Sequence, residues 1–333
     1  MDYYGTLGPA CGETRILKRM FEAGMTGVRL NLSHGDLERS ADWMDMLSEA
    51  AGACGVKPKI LIDLRGPELR IGRLESEVLI PEGSTVIWSE DGFKVPESFL
   101  LAAKPGDHVL VDDGKLELLV EDVESGCKIP KKRQFVRAKA LRGGILKSEK
   151  SLAIVGKEVP MPTLTESDYK NLAQAAKYGV TGVMLPFVRG KEDLMTLKKA
   201  LLEAGTPQIQ IFAKIENLRG VQIIEELFPY CDQVVIARGD LGNARPLWKL
   251  PGMQKKLAAK CRKARMPFMV VTQMLDSMHE RAVPTRAEVL DIYNAVLDGA
   301  ASLMLTGETA VGKYPVEAME YLVKTGEEAL RDI

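Results

Sequence analysis

The feature that most constrains this chain is a rhythm. A short apolar run is followed by an amphipathic stretch of helical period, and the pair recurs eight times. The apolar runs are Tyr3–Leu7, Val28–Leu32, Lys59–Asp63, Gly182–Phe187, Gln210–Lys214, Gln233–Ala237, Phe268–Thr272 and Ala301–Thr306. The helical stretches include Thr14–Ala23, Leu37–Ala51, Lys191–Glu203, Leu218–Phe228, Met253–Ala264, Arg286–Asp298 and Val316–Leu330. Thr165 with Asp168, and Thr285 with Glu288, have the spacing of a helix N-cap and its acidic third residue. Pro315 suits a first helical turn. Alternating βα units predict a parallel sheet covered by helices. Eight of them predict a closed (β/α)8 TIM barrel. An open doubly wound sheet is the alternative that periodicity alone leaves standing.

Residues 73–155 break the rhythm. Short β-type runs appear there (Glu77–Ile80, Ser84–Trp88, His108–Val111, Leu116–Val120, Phe135–Ala140), separated by Gly and Asp turn signals. The expected organisation is a barrel over residues 1–72 and 156–333, with a small all-β lid domain inserted after the third strand. An insertion there would lie over the strand ends, where barrels do their chemistry.

Composition excludes several classes. Lys plus Arg number 45 and Asp plus Glu 46, a net charge of −1. Bulk electrostatics therefore points to no nucleic-acid partner and no membrane partner, although local basic patches remain open. The five cysteines (Cys11, Cys54, Cys127, Cys231, Cys261) form no CxxC pair, so reduced thiols in a cytoplasmic protein are expected. Met1–Gly5 shows no signal-peptide pattern, and no apolar run approaches the ~18 residues of a membrane span. A P-loop and a GxGxxG turn are both absent from the sequence. His34, His108 and His279 are too scattered for a metal triad; His108 reads as a lid surface residue and His279 as a helix residue.

The informative polar residues stand where apolar strands should end. They are Arg29, Asn31 and Ser33; Asp63, Arg65, Glu68 and Arg70; Arg189; Lys214 and Glu216; Arg238 and Asp240; Thr272 and Gln273; Thr306 and Glu308. In a barrel they converge on one mouth. Glu216 and Asp240 lie about one βα unit apart and suit a hard cation such as Mg2+, or else ion pairs with Lys214 or Arg238. Lys214 could stabilise charge on a phosphoryl group or enolate, act as a Schiff-base amine, or simply be solvated. Arg29, Arg70 and Lys214 imply a phosphate or carboxylate substrate. Asn31, Ser33 and Asp63 read either as a monovalent-cation site or as a hydrogen-bonded polar corner.

Taken together, the motifs resemble the pyruvate kinase family. They include Val28-Arg-Leu-Asn-Leu-Ser-His-Gly35, Asp63-Leu-Arg-Gly-Pro-Glu-Leu-Arg70, Val111-Asp-Asp-Gly114, Lys214-Ile-Glu-Asn217 and Ala237-Arg-Gly-Asp-Leu-Gly242. Val271-Thr-Gln-Met-Leu-Asp-Ser277, Pro284-Thr-Arg-Ala-Glu288 and Met304-Leu-Thr-Gly-Glu-Thr-Ala310 follow in the family's order. The resemblance implies a glycolytic phosphotransferase that moves a phosphoryl group from phosphoenolpyruvate to ADP, giving pyruvate and ATP. By position, Lys214 and Arg29 would bind the phosphoryl group, and Lys214 would stabilise it in flight. The backbone at Gly239 and Asp240, with the Thr272 side chain, would bind the pyruvyl carboxylate. Glu216 and Asp240 would hold Mg2+ (or Mn2+). Asn31, Ser33, Asp63 and the Leu64 carbonyl would hold K+, and Glu68 matches the residue of K+-dependent members. Thr6, Pro9, His34, Arg70 and Lys150 map to the nucleotide side. Thr306 and Glu308 map to a water network that protonates the enolate. A homodimer through barrel helices seven and eight is carried as a hypothesis.

Three departures from the family pattern stand out. The sequence ends at Ile333, where the family usually adds a C-terminal α/β domain with an effector site, so activation through that site is not expected. Asn243-Ala-Arg-Pro-Leu-Trp248 replaces the usual Val-Glu-Ile-Pro, losing an acid beside the metal. Pro186 and Thr306 each stand where Ser is usual. Two other functions stay open: a Mg2+-dependent lyase or aldolase acting on 2-oxo acid enolates, and a non-catalytic or regulatory relative.

Overall fold

The computed structural model describes residues 1–333 except 34, 67–68, 90–92, 113, 126–133, 158, 160 and 244–245. Its chain forms two compact units: Met1–Gly66 with Thr163–Ile333, and Pro67–Pro162.

The larger unit is a closed parallel barrel. Its strands are β1 (Asp2–Thr6), β2 (Gly27–Asn31), β3 (Lys59–Asp63), β11 (Gly182–Leu185), β12 (Gln210–Ile215), β13 (Gln233–Ala237), β14 (Phe268–Val271) and β15 (Ser302–Met304). β4 to β10 belong to the smaller unit. Around the barrel run α1 (Thr14–Glu22), α2 (Ala41–Cys54), α4 (Glu166–Gln174), α5 (Lys191–Glu203), α6 (Leu218–Leu227), α8 (Leu250–Ala264), α9 (Arg286–Leu297) and α11 (Pro315–Arg331). The short α7 (Arg238–Asn243) and α10 (Gly307–Ala310) sit in the loops after β13 and β15. The strand order β1-β15-β14-β13-β12-β11-β3-β2 closes on itself, so the open sheet is excluded.

Side-chain alternation explains why these strands are apolar at nearly every position. On β13, Val234 and Ile236 join the layer beneath the helices, while Val235 and Ala237 fill the barrel interior. Phe268 and Val270 of β14 point outward, and Met269 and Val271 inward. Tyr4, Leu61, Met184, Phe212 and Met304 complete the inner packing, so the barrel is a filled core and not a pore. At one end Gln233 donates to the Ser302 hydroxyl at 2.5 Å, both on the inward file. The candidate site residues Lys214 and Asp63 continue the inward file at the other end.

Several boundaries differ from expectation. The helix expected from Leu37 begins at Ala41, because Leu37 N–H is taken by Asn171 Oδ1 at 3.0 Å and the chain first makes a turn. The strands expected to reach Phe187, Thr272 and Thr306 stop two, one and two residues earlier, at Leu185, Val271 and Met304. Phe187 and Thr272 have φ of 52° and 81°, a left-handed backbone that no strand continues through.

The smaller unit leaves the barrel chain after β3 and returns before α4. Its β10 (Leu152–Ile154), β6 (His108–Val111), β7 (Leu116–Ser125), β8 (Gln134–Arg142) and β5 (Thr85–Trp88) form an antiparallel sheet in that order. β4 (Val78–Ile80) pairs with β9 (Gly144–Leu146). It has its own core, with Trp88 set edge-on to Phe99 at 5.2 Å. Phe99 lies on a short helix, α3 (Glu97–Ala102), so the block is not all-β. Six residues carry too little periodicity to announce a helix. β9 and β10, three residues each, are likewise too short to show a period.

Among the described residues, no helix is long and apolar enough to cross a membrane. Cys11, Cys54, Cys231 and Cys261 are free thiols; Cys127 lies outside the described residues.

Candidate active site

Strand parity builds the site. Phe212 faces the barrel interior, so Lys214, two residues on, does too. Leu61 places Asp63 inward in the same way, and Val28 and Leu30, facing out, leave Arg29 and Asn31 facing in. Lys214 Nζ lies 3.2 and 3.1 Å from the two Asp63 oxygens and 2.9 Å from Glu216 Oε1. Arg29 Nη2 and Nε reach Asp63 Oδ2 at 2.6 and 3.1 Å. All four side chains are nearly or fully shut from solvent. One carboxylate thus holds two cations side by side.

Electrostatics favours the charged forms of Asp63 and Lys214. Burial, the largest single influence on Asp63, raises its pKa, but Lys214 and Arg29 together outweigh it and hold the carboxyl below its ordinary value. Burial also works against the Lys214 ammonium, and there the attraction of Asp63 and Glu216 prevails and raises the pKa. The two carboxylates therefore favour the ammonium form of the lysine. A Schiff-base amine must lose its proton to act, so that alternative is disfavoured.

Glu216 is held from a second side. Its Oε2 accepts from the Phe187 N–H at 2.8 Å. The left-handed Phe187 turns that N–H inward. Pro186, just before it, packs over Gly66, where a Cβ would meet the ring at 2.4 Å. Gly66 is itself left-handed (φ 57°) and closes the turn after β3. Asp168, wholly buried, accepts from Arg65 N at 2.9 Å, Gly66 N at 3.1 Å and Thr165 N at 2.8 Å. The capping-box acid therefore also anchors the turn next to Asp63. Its capping role was readable from spacing; its long-range one had no signal.

Asp240 follows β13, the strand beside β12, so it and Glu216 leave adjacent strand ends. Gly239 backs onto Thr272: a Cβ there would stand 3.2 Å from the Thr272 methyl. Thr272 and Gln273 are both left-handed, and the Arg238 guanidinium holds their carbonyls at 2.7 and 3.2 Å. Asp291 pairs with Arg238 at 2.5 Å. Arg238 thus shapes the Thr272 loop. Arg189 likewise folds back onto Asp193, at 2.8 Å.

Asn31 stands beside Asp63 in the β2–β3 register, and its Oδ1 accepts from Ser33 N at 3.2 Å. Thr6 is buried, donates to the Leu305 carbonyl at 2.9 Å and stands 3.4 Å from Arg29 Nη1; Pro9 is exposed on the following loop. Glu308 is buried. Its Oε2 accepts from the Thr306 N–H at 2.7 Å and hydroxyl at 3.1 Å, and its Oε1 from Leu275 N at 3.1 Å.

Arg70 and Lys150 belong to the smaller unit. Arg70 bridges Ser151, and Ile71 N–H donates to the Lys150 carbonyl at 2.9 Å, so the two cations share one edge. His34, Glu68 and Arg245 lie outside the described residues.

Residues 2–319 match the family model described as pyruvate kinase, barrel domain. The chain belongs to the pyruvate kinase family. It is 38% identical over 331 residues to a pyruvate kinase of Aeropyrum pernix, covering 98% of this chain and 70% of that one. The Bacillus licheniformis pyruvate kinase is 37% identical over 337 residues, with 98% and 57% covered. That of Geobacillus stearothermophilus is 37% identical over 324 residues, with 95% and 54% covered. The chain therefore spans between 54% and 70% of the length of these pyruvate kinases.

Proposed function

We propose that this chain transfers a phosphoryl group from phosphoenolpyruvate to ADP, giving pyruvate and ATP. The observation that carries the reading is the pair of cations, Lys214 and Arg29, held on the single carboxylate of Asp63. Phosphoryl transfer proceeds through a charge-dispersed transition state, and catalysis consists largely of positioning and cationic stabilisation. Here both cations are oriented before substrate arrives. Arg29 binds the phosphoryl oxygens, and Lys214 stays with the group as it moves. The backbone N–H groups of Gly239 and Asp240 and the Thr272 hydroxyl donate to the carboxylate of the three-carbon fragment. Thr306 delivers a proton to the enolate carbon through water, its hydroxyl oriented by Glu308. Arg70 and Lys150 bind the nucleotide phosphates, and Thr6, Pro9 and His34 are assigned to the nucleotide by their match to the family's motifs.

The donor sets suit the cations of the family. Glu216 and Asp240 supply two hard carboxylates, as Mg2+ or Mn2+ requires, and Asn31, Ser33, Asp63 and the Leu64 carbonyl supply only oxygens, as K+ requires. Held by Glu216 and Asp240, a divalent ion would neutralise charge on the substrate oxygens, and K+ held by Asn31, Ser33, Asp63 and the Leu64 carbonyl would add positive charge to the site. We further propose a cytoplasmic homodimer through α9 and α11. Leu290 and Leu297, two turns apart on α9, are both exposed. A single subunit in sedimentation at micromolar concentration would reject that assembly.

The test is a coupled assay of pyruvate formation with Mg2+ and either K+ or Na+. Turnover is expected with K+ and drops about 10³-fold in Lys214→Met. No turnover above that variant overturns the reading. Pyruvate released from a 2-oxo acid without ADP would favour a lyase instead.

A further inference from the structure

In the smaller unit, one buried carboxylate faces two lysines. Asp112 Oδ1 lies 3.1 Å from Lys150 Nζ, and Oδ2 lies 3.0 Å from Lys115 Nζ. Asp112 is 7% exposed, the Lys115 side chain 70% and the Lys150 side chain 35%. The backbone holds this arrangement in place. Val111 pairs with Leu152 at the end of the β6–β10 ladder, and Asp112 N–H donates to the Ser151 carbonyl at 3.1 Å. Asp112 and Glu149, which precedes Lys150, both take left-handed backbone, with φ of 49° and 59°. Non-glycine residues in that region cluster where a side chain must be aimed. Arg70 Nη1 secures the Glu149 carbonyl at 2.6 Å, and Arg73 pairs with the Glu149 carboxylate at 3.2 Å.

We propose that Asp112 is a built-in counterion that sets the phosphate affinity of Lys150. In the free protein it occupies the Lys150 ammonium. An incoming diphosphate takes the ammonium over, and Lys115 remains to neutralise Asp112. The exchange keeps a buried carboxylate paired in both states, which an unpaired one would not tolerate. Lys115 has no other place in the proposed reaction, and this gives it one. Burial tends to raise the Asp112 pKa, but Lys115 and Lys150 outweigh it and lower it, so the counterion stays charged at neutral pH. The inference rests on the reading of Lys150 as a phosphate-binding side chain.

Titration calorimetry of the whole chain with ADP, and separately with inorganic pyrophosphate, tests it. Asp112→Asn keeps the shape and a hydrogen-bond acceptor but removes the charge. It is expected to bind both probes about fivefold more tightly. In a Lys150→Met background the same substitution should change nothing, because Asp112 acts through Lys150. Lys115→Met should weaken both probes about threefold, since Asp112 then pulls on Lys150 alone. This variant decides the matter if Asp112→Asn fails to fold. Unchanged or weaker binding by Asp112→Asn, or an effect that persists without Lys150, overturns the proposal. If the wild type takes pyrophosphate but not ADP, the nucleotide reading fails, and the role of Asp112 is judged on pyrophosphate alone. If the wild type takes neither, both are overturned.

Discussion

Lys214 and Asp63 show how one residue's environment becomes a pH dependence. Asp63 has a folded pKa below its unfolded value, so its contribution to stability is present above ~4 and is lost as pH falls through the folded value. Lys214 has a raised folded pKa, so its contribution is complete below ~10.4 and is lost as pH rises through the folded value. The stability gap between wild type and Asp63→Asn, measured by urea unfolding, should therefore be level between these limits and shrink below pH ~4. A gap that stays level as pH falls below ~4 would contradict the assignment. Gly66 is constrained in two independent ways. A Cβ there is strained at φ 57° and meets Pro186 at 2.4 Å. Gly66→Ala should cost about 2 kcal/mol and raise the KM for the proposed substrate, phosphoenolpyruvate, because the turn beside Asp63 must shift.

At the scale of elements, period-two alternation sorts each strand into an outward file for the helices and an inward file for the core and the site. That sorting was already implicit in the letters: once Phe212 is inside, Lys214 is inside. Caps were equally readable, and both Thr165 with Asp168 and Thr285 with Glu288 form full capping boxes. The second duty of Asp168 was not readable, because Arg65 and Gly66 lie some hundred residues away in the chain. Asp168→Ala should lower stability by about 3 kcal/mol, more than the ~1 kcal/mol of a lost cap alone, since buried N–H groups are left unpaired. Thr285→Ala, which only loses a cap, is the control. The α3 helix and the end strands β9 and β10 escaped the sequence for the opposite reason: they are too short to show a period.

The whole molecule divides into two units, each with a hydrophobic core of its own. Calorimetry should resolve two transitions. Trp88→Ala, which empties the centre of the smaller core, should lower only one of them, by about 4 kcal/mol. A single transition that moves as a whole would show that the units unfold together.

The amino-acid sequence by itself determined the eight-fold βα rhythm, the insertion after the third strand and the identity of the polar residues at the strand ends. These follow from periodicities set within a few residues by backbone geometry. Only the tertiary structure decided which charges meet. Lys214 finds Asp63 across 151 residues of chain, and Arg238 holds the Thr272 loop. Phe187 turns its N–H onto Glu216. Such pairings exist only once the ring of strands has closed, because closure, and no local preference, brings the end of β3 within 3.2 Å of a lysine on β12.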